Sequence, residues 1–167
     1  MDGERLCGRV VVGVGGSPAS LAALRAAVAE ARRSGRSLVA ALAWEPPEGE
    51  AMYRRWPDTA WARHWYQEAR ARLAAAFEEA LGGFPPDLDV TLRVVRDRPG
   101  PALVELAARP DDLLVVGVRP RSLRRAAHRH VRRHAPCPVL TVPVRPLQRA
   151  ELRALKRMRA ADFEVVP

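Results

Sequence analysis

The chain has 167 residues, of which 48% are hydrophobic and 28% charged, a length and composition that predict one soluble domain with a real core. No apolar run reaches the roughly 18 residues that span a bilayer, so no membrane segment is expected. MDGERLCGR at the start lacks an apolar signal core, and Cys7 and Cys137 are too few for a disulfide framework, so a cytoplasmic protein is expected.

In chain order, RVVVGV (9–14) reads as a buried strand, followed by a glycine turn and a helix from Ser17 to Gly35. Ser17 suits the helix cap, Pro18 its first turn and Gly35 its end. Leu21, Leu24 and Val28 fall three and four apart and mark the buried stripe. SLVAALAW (37–44) is a second strand, EPPEGEAMYRRWPDT a long connection, and residues 59–81 a long helix. LDVTLRVV (88–95) is the third strand and RPGPALVELAARP a short helix. DDLLVVGV (111–118) has the continuous hydrophobicity of a parallel strand. SLRRAAHRHVRRH then reads as a helix and PCPVLTVPV (136–144) as a fifth strand, kept at an edge by its prolines. This alternation predicts an α/β fold, a doubly wound, five-stranded, Rossmann-like parallel sheet. The domain is expected over residues 1–145, with 146–167 added as a basic C-terminal helix. Ligands on such sheets sit beyond the carboxyl ends of the strands, here at the turns after strands one and four.

VVVGVGGSPAS with the helix ALRAAV, then DRPGPALVELAARPDDLLVVGVR, then HAPCPVLTVPV, resemble the universal stress protein family in order and spacing over roughly residues 9–144. The APCPVL run is the most specific of these. The resemblance implies a sheet of the kind just described, a homodimer formed through the last strand (Val139, Leu140, Thr141, Val142), and either a nucleotide binder or a non-binder. It places a nucleotide-type pocket at Gly13, Val14, Gly15, Ser17, Ala41, Val116 and Gly117, with Arg119 and Arg121 beside it. ATP or AMP is the ligand it suggests. The family's binders carry an aspartate in the first turn, where this chain has Gly15. They carry a glycine-rich phosphate loop after strand four. Here Gly117 keeps the first position, Pro120 replaces the second, and the later glycine pair is missing from a shortened stretch. Backbone N–H groups must reach phosphate oxygens in such a loop, and proline has none. The expectation is a site whose triphosphate cradle is lost or modified.

Other chemistry is weaker. The sole lysine, Lys156, follows Leu155 and forms no Walker loop, and a dinucleotide fingerprint is interrupted by Pro18, with no clear ribose acid at Glu30 or after strand two. GGSPA approaches a nucleophile elbow, but Ser17 reads better as a cap and Ala19 stands where glycine is required. His128, His130, His134 and Cys137 suggest zinc by spacing alone, among arginines that would repel the cation, so no metal is expected. Trp61 and Trp65 share a helix face and read as a packing cluster. No residues make an acid/base or nucleophile set, so no enzyme is expected. The most unusual stretch is 119–134, with seven arginines and no acid within a chain of net charge +9. Arg124, Arg125, Arg129, Arg132 and Arg133 there form the alternative expectation, a face for a polyanion or nucleic acid. A protein partner is a further possibility.

Overall fold

A computed structural model describes residues 8–46, 49–55, 59–118 and 125–144. Five strands, β1 (Val10–Gly13), β2 (Leu38–Trp44), β3 (Val90–Arg96), β4 (Leu113–Val118) and β5 (Val139–Pro143), form one parallel sheet in the order β3-β2-β1-β4-β5. Between them lie α1 (Pro18–Ser34), α2 (Glu50–Arg55), α3 (Thr59–Leu81), α4 (Pro99–Leu106) and α5 (Arg125–His134). The doubly wound α/β sheet is therefore as expected. The short helix α2 lies within the proline-containing connection, where the sequence predicts no element. C-terminal residues 146–167 and Cys7 lie outside the described residues.

Side chains on a strand alternate between faces, and this divides the core. Val10, Val12 and Val14 join Leu38, Ala40 and Leu42 beneath α1 and α3, where Leu24, Leu73 and Phe77 are buried. Val11, Val39, Ala41, Leu114 and Val116 face the other way, against Leu103 and Ala107 near α4 and Val131 of α5. The central strands bury both faces, which is why their sequences are apolar without a break. At one sheet edge, β5 exposes Leu140 and Thr141 and half-buries Val139 and Val142.

The first helix follows its local signals. Ser17 accepts from the Ser20 backbone N–H while the Ser20 side chain accepts from the Ser17 backbone N–H, a reciprocal cap. Pro18 stands in the first turn and Gly35 closes the helix with its N–H on the Ala31 carbonyl. Leu21, Leu24 and Val28 are buried as the spacing predicts.

One long-range pair ties the amino-terminal edge of the sheet. The Asp112 side chain is fully buried at the entry to β4. Its Oδ1 accepts from the Arg9 backbone N–H at 2.8 Å, and its Oδ2 accepts from the Arg9 guanidinium at 2.7 Å. The same guanidinium reaches the Leu106 carbonyl at the end of α4. One carboxylate thus joins the start of β1 to the α4–β4 turn.

Candidate functional site

Parallel strands deliver their turns to one end of the sheet, and a cavity of about 840 Å³ opens there. Gly13, Val14, Gly15 and Ser17 line it from the β1–α1 turn, Ala41 from β2, and Val116 and Gly117 from β4. Seven residues that are expected to form a pocket therefore do share one. The Val14 N–H donates to the Ala41 carbonyl at 2.8 Å, which holds the β1 turn against β2. Arg119 and Arg121 lie outside the described residues, as does Arg124.

Within the turn, the left-handed residue is Gly16, at φ 72°. A side chain on Gly15 would meet nothing within 4 Å, so the absence of an aspartate there is a chemical change and not a demand of the fold. Gly117 has a different role from the one its motif suggests. A Cβ on Gly117 would run into the Ala19 carbonyl in the first turn of α1. It is glycine so that helix and strand can touch. Ser17 turns its hydroxyl to the cap of α1, in keeping with the sequence reading.

Other walls of the cavity come from residues that the sequence reading did not assign to a site. Glu45 follows the last residue of β2, Arg98 caps α4 without a side-chain hydrogen bond, and Arg72 reaches in from α3. From α5 come His128 and His130, and the packing is close: a Cβ on Gly100 of α4 would press on His130. Two arginines and two histidines thus face a cavity whose apolar wall includes Val14, Leu42, Val95, Leu103 and Val116. A volume of this order, mostly apolar with a few polar groups, suits a small organic ligand, and the surplus of basic groups suits an anionic one. His128 bonds Thr141 Oγ1 at 3.2 Å, and burial, followed by the charge of Arg132, lowers its pKa.

The histidines do not gather a metal set. His130 and His134 stack with ring centroids 4.3 Å apart, and His134 Nδ1 lies 2.9 Å from the His130 carbonyl. Among the described residues no group of three His, Cys, Asp or Glu side chains could hold a metal ion. Cys137 is buried under α5, and burial, with the Asp112 charge, raises its thiol pKa. On the outside of α5, Arg129, Arg132 and Arg133 are exposed on one helical face. The Arg125 side chain is not among those described. Trp61 and Trp65 stack on α3 at 6.3 Å, as the shared face predicts, and neither lines the cavity. Among the described residues no helix is long and apolar enough to cross a membrane.

Comparison with known proteins identifies the family and the fold. The model of the universal stress protein family matches residues 7–143. A universal stress protein solved in complex with cAMP is 31% identical, with a TM-score of 0.50, and the match covers 81% of this chain and 95% of that one. A universal stress protein from Archaeoglobus fulgidus is 21% identical, with a TM-score of 0.53 over 81% of this chain and 98% of its own. A hypothetical protein solved as a test case of structural genomics shares the fold at 14% identity, with a TM-score of 0.64 over 85% and 99%. No curated protein sequence matches the chain.

Proposed function

Because the chain belongs to the universal stress protein family, we propose that it is a non-catalytic binding domain of the stress response, taking an adenine nucleotide with a short phosphate group. The observation that carries this is the convergence of the turn 13–17, Ala41, Val116 and Gly117 on one cavity with Arg72 and Arg98 at its walls. The apolar wall suits the base. Arginine side chains, which bind phosphate oxygens through paired N–H groups, take over from the backbone donors that the altered stretch after β4 lacks. Arg119 and Arg121 are the sequence's further candidates for that role.

Titration calorimetry of the nucleotide-stripped protein with AMP and ATP, at low and moderate salt, tests this. AMP is expected to bind with a stoichiometry of one and to tolerate salt, and ATP to bind no more tightly than AMP. Silence with both nucleotides would end the nucleotide reading. The exposed arginine face of α5 favours the second reading, a polyanion site, and its signature is affinity that falls steeply and log-linearly with salt.

The edge strand β5 supports the homodimer. Among the described residues no strand pairs with its outer side, and Leu140 is 39% exposed, an edge suited to pairing with a second copy. Light scattering at micromolar concentration is expected to return twice the chain mass, and Leu140→Arg to return the monomer mass. A monomer in the unsubstituted protein would refute this part of the proposal.

A further inference from the structure

The ionisable groups of the lining are mainly basic, yet among its described residues it holds one carboxylate, Glu45. Glu45 directly follows Trp44, the last residue of β2. The sheet order β3-β2-β1-β4-β5 matches five strands of the dinucleotide-binding sheet, where an acid near the end of the second strand takes a ribose hydroxyl. We infer that Glu45 reads the ribose diol of the bound nucleotide and makes the site select ribonucleotides over 2′-deoxyribonucleotides. This rests on the nucleotide reading above and adds to it the residue that recognises the sugar.

The chemistry of the other side chains leads to the same residue. A vicinal diol offers two O–H donors and needs acceptors beside it. Arg72 and Arg98 offer donors alone, His128 already shares a hydrogen bond with Thr141 Oγ1, and His130, stacked on His134, has at most one acceptor nitrogen. Ser17 and Ser20 are engaged with each other: the Ser20 hydroxyl donates to the Ser17 carbonyl at 2.8 Å, and each side-chain oxygen accepts the other residue's backbone N–H. Glu45 has two oxygens with about four acceptor positions, and its side chain is 57% exposed. Arg98 Nε lies 3.9 Å from Glu45 Oε1, near enough to orient the carboxylate and too far to occupy it with a hydrogen bond. The same arginine lines the cavity beside Glu45, so a phosphate that it held would adjoin the sugar.

The test is calorimetric titration of the full chain and its Glu45→Ala and Glu45→Gln variants with AMP, 2′-deoxyAMP and 3′,5′-cyclic AMP. In the unsubstituted protein AMP is expected to bind about tenfold more tightly than 2′-deoxyAMP, the scale of one hydrogen bond to a charged group. Cyclic AMP, which has no free 3′-hydroxyl, is expected to fall between AMP and non-binding by a similar factor. In Glu45→Ala the preference for AMP over 2′-deoxyAMP is expected to vanish, with Glu45→Gln intermediate. The ratio is the readout, because removing a negative charge beside the phosphate shifts every nucleotide together, as would a merely structural change. An unchanged ratio in both variants would overturn the role of Glu45 and leave the nucleotide reading standing. No binding of any nucleotide to the unsubstituted protein would overturn both.

Discussion

Asp112→Ala is expected to lower the unfolding free energy by about 3–5 kcal/mol, the range found when one partner of a buried ion pair is removed. The substitution leaves the Arg9 backbone N–H without its acceptor and the guanidinium without its counter-charge, at the junction of β1, α4 and β4. Asp112→Asn keeps one acceptor for that N–H and is expected to lose less. A urea midpoint measured for each variant gives the magnitude. The Asp112 carboxyl adds a pH signature. Burial by itself would raise its pKa, but hydrogen bonds from the Arg9 guanidinium and backbone bring it below the usual carboxylate value. An unfolded aspartate titrates near ~3.9, so the folded state binds the proton less readily. Its stabilisation is therefore complete above that value and disappears as the pH falls through the lower folded value. Arg9 is held above its ordinary range and stays charged throughout. Between about pH 5 and the acid limit, stability should thus fall less steeply in Asp112→Ala than in the unsubstituted protein. Because the pair lies at the end of the sheet opposite the cavity, nucleotide affinity of the folded variant should be unchanged. Equal midpoints at pH 7 would refute the assignment.

Gly117→Ala is the second large effect, and it separates two meanings of the same glycine. Were Gly117 kept for phosphate approach alone, one methyl group would impair binding and leave stability intact. Its Cβ would instead strike the backbone carbonyl of Ala19, which cannot rotate away. Overpacking of this kind costs about 1–3 kcal/mol, occasionally more, and a backbone obstacle puts it at the upper end. Relief requires α1 to move off β4. That displaces the Ser17 cap and the turn 13–16, so ligand binding should be lost with stability. Gly13→Ala is the matched control. Its Cβ would lie 2.8 Å from Leu103 Cδ1, the far end of a flexible side chain, and a small loss is expected. Thermal melting and AMP titration of the two variants give the comparison. A Gly117→Ala protein as stable as Gly13→Ala would show that the helix–strand contact is loose.

The two experiments bear on how much of this protein was legible in its sequence. Features that depend on one element alone were readable. Uninterrupted apolar runs marked β1, β2 and β4, because a strand in the middle of a parallel sheet buries both faces. Ser17, Pro18 and Gly35 marked the ends of α1, because caps are settled within a few residues. Prolines at 136, 138 and 143 placed β5 at an edge, because a central strand needs N–H donors on both sides. The turn after β1 and the end of β4 were readable as a shared site because a parallel sheet brings the carboxyl ends of its strands to one edge.

Features that join distant segments were not readable. Arg9 and Asp112 are 103 positions apart, and nothing local in either marks it as the other's partner. Glu45, Arg72 and Arg98 reach one cavity from three different elements, and in sequence they are three ordinary charges in a chain with many. Gly117 looked like a phosphate glycine because its obstacle, the Ala19 carbonyl, belongs to another element brought near by the crossover. By itself, the sequence determined the strands, the helices other than α2, their order and the end of the sheet at which the cavity opens, since hydrophobic period and capping act over a few residues. The tertiary structure alone decided which charges meet and which glycine is a contact, since pairing depends on crossovers and register that no single segment encodes.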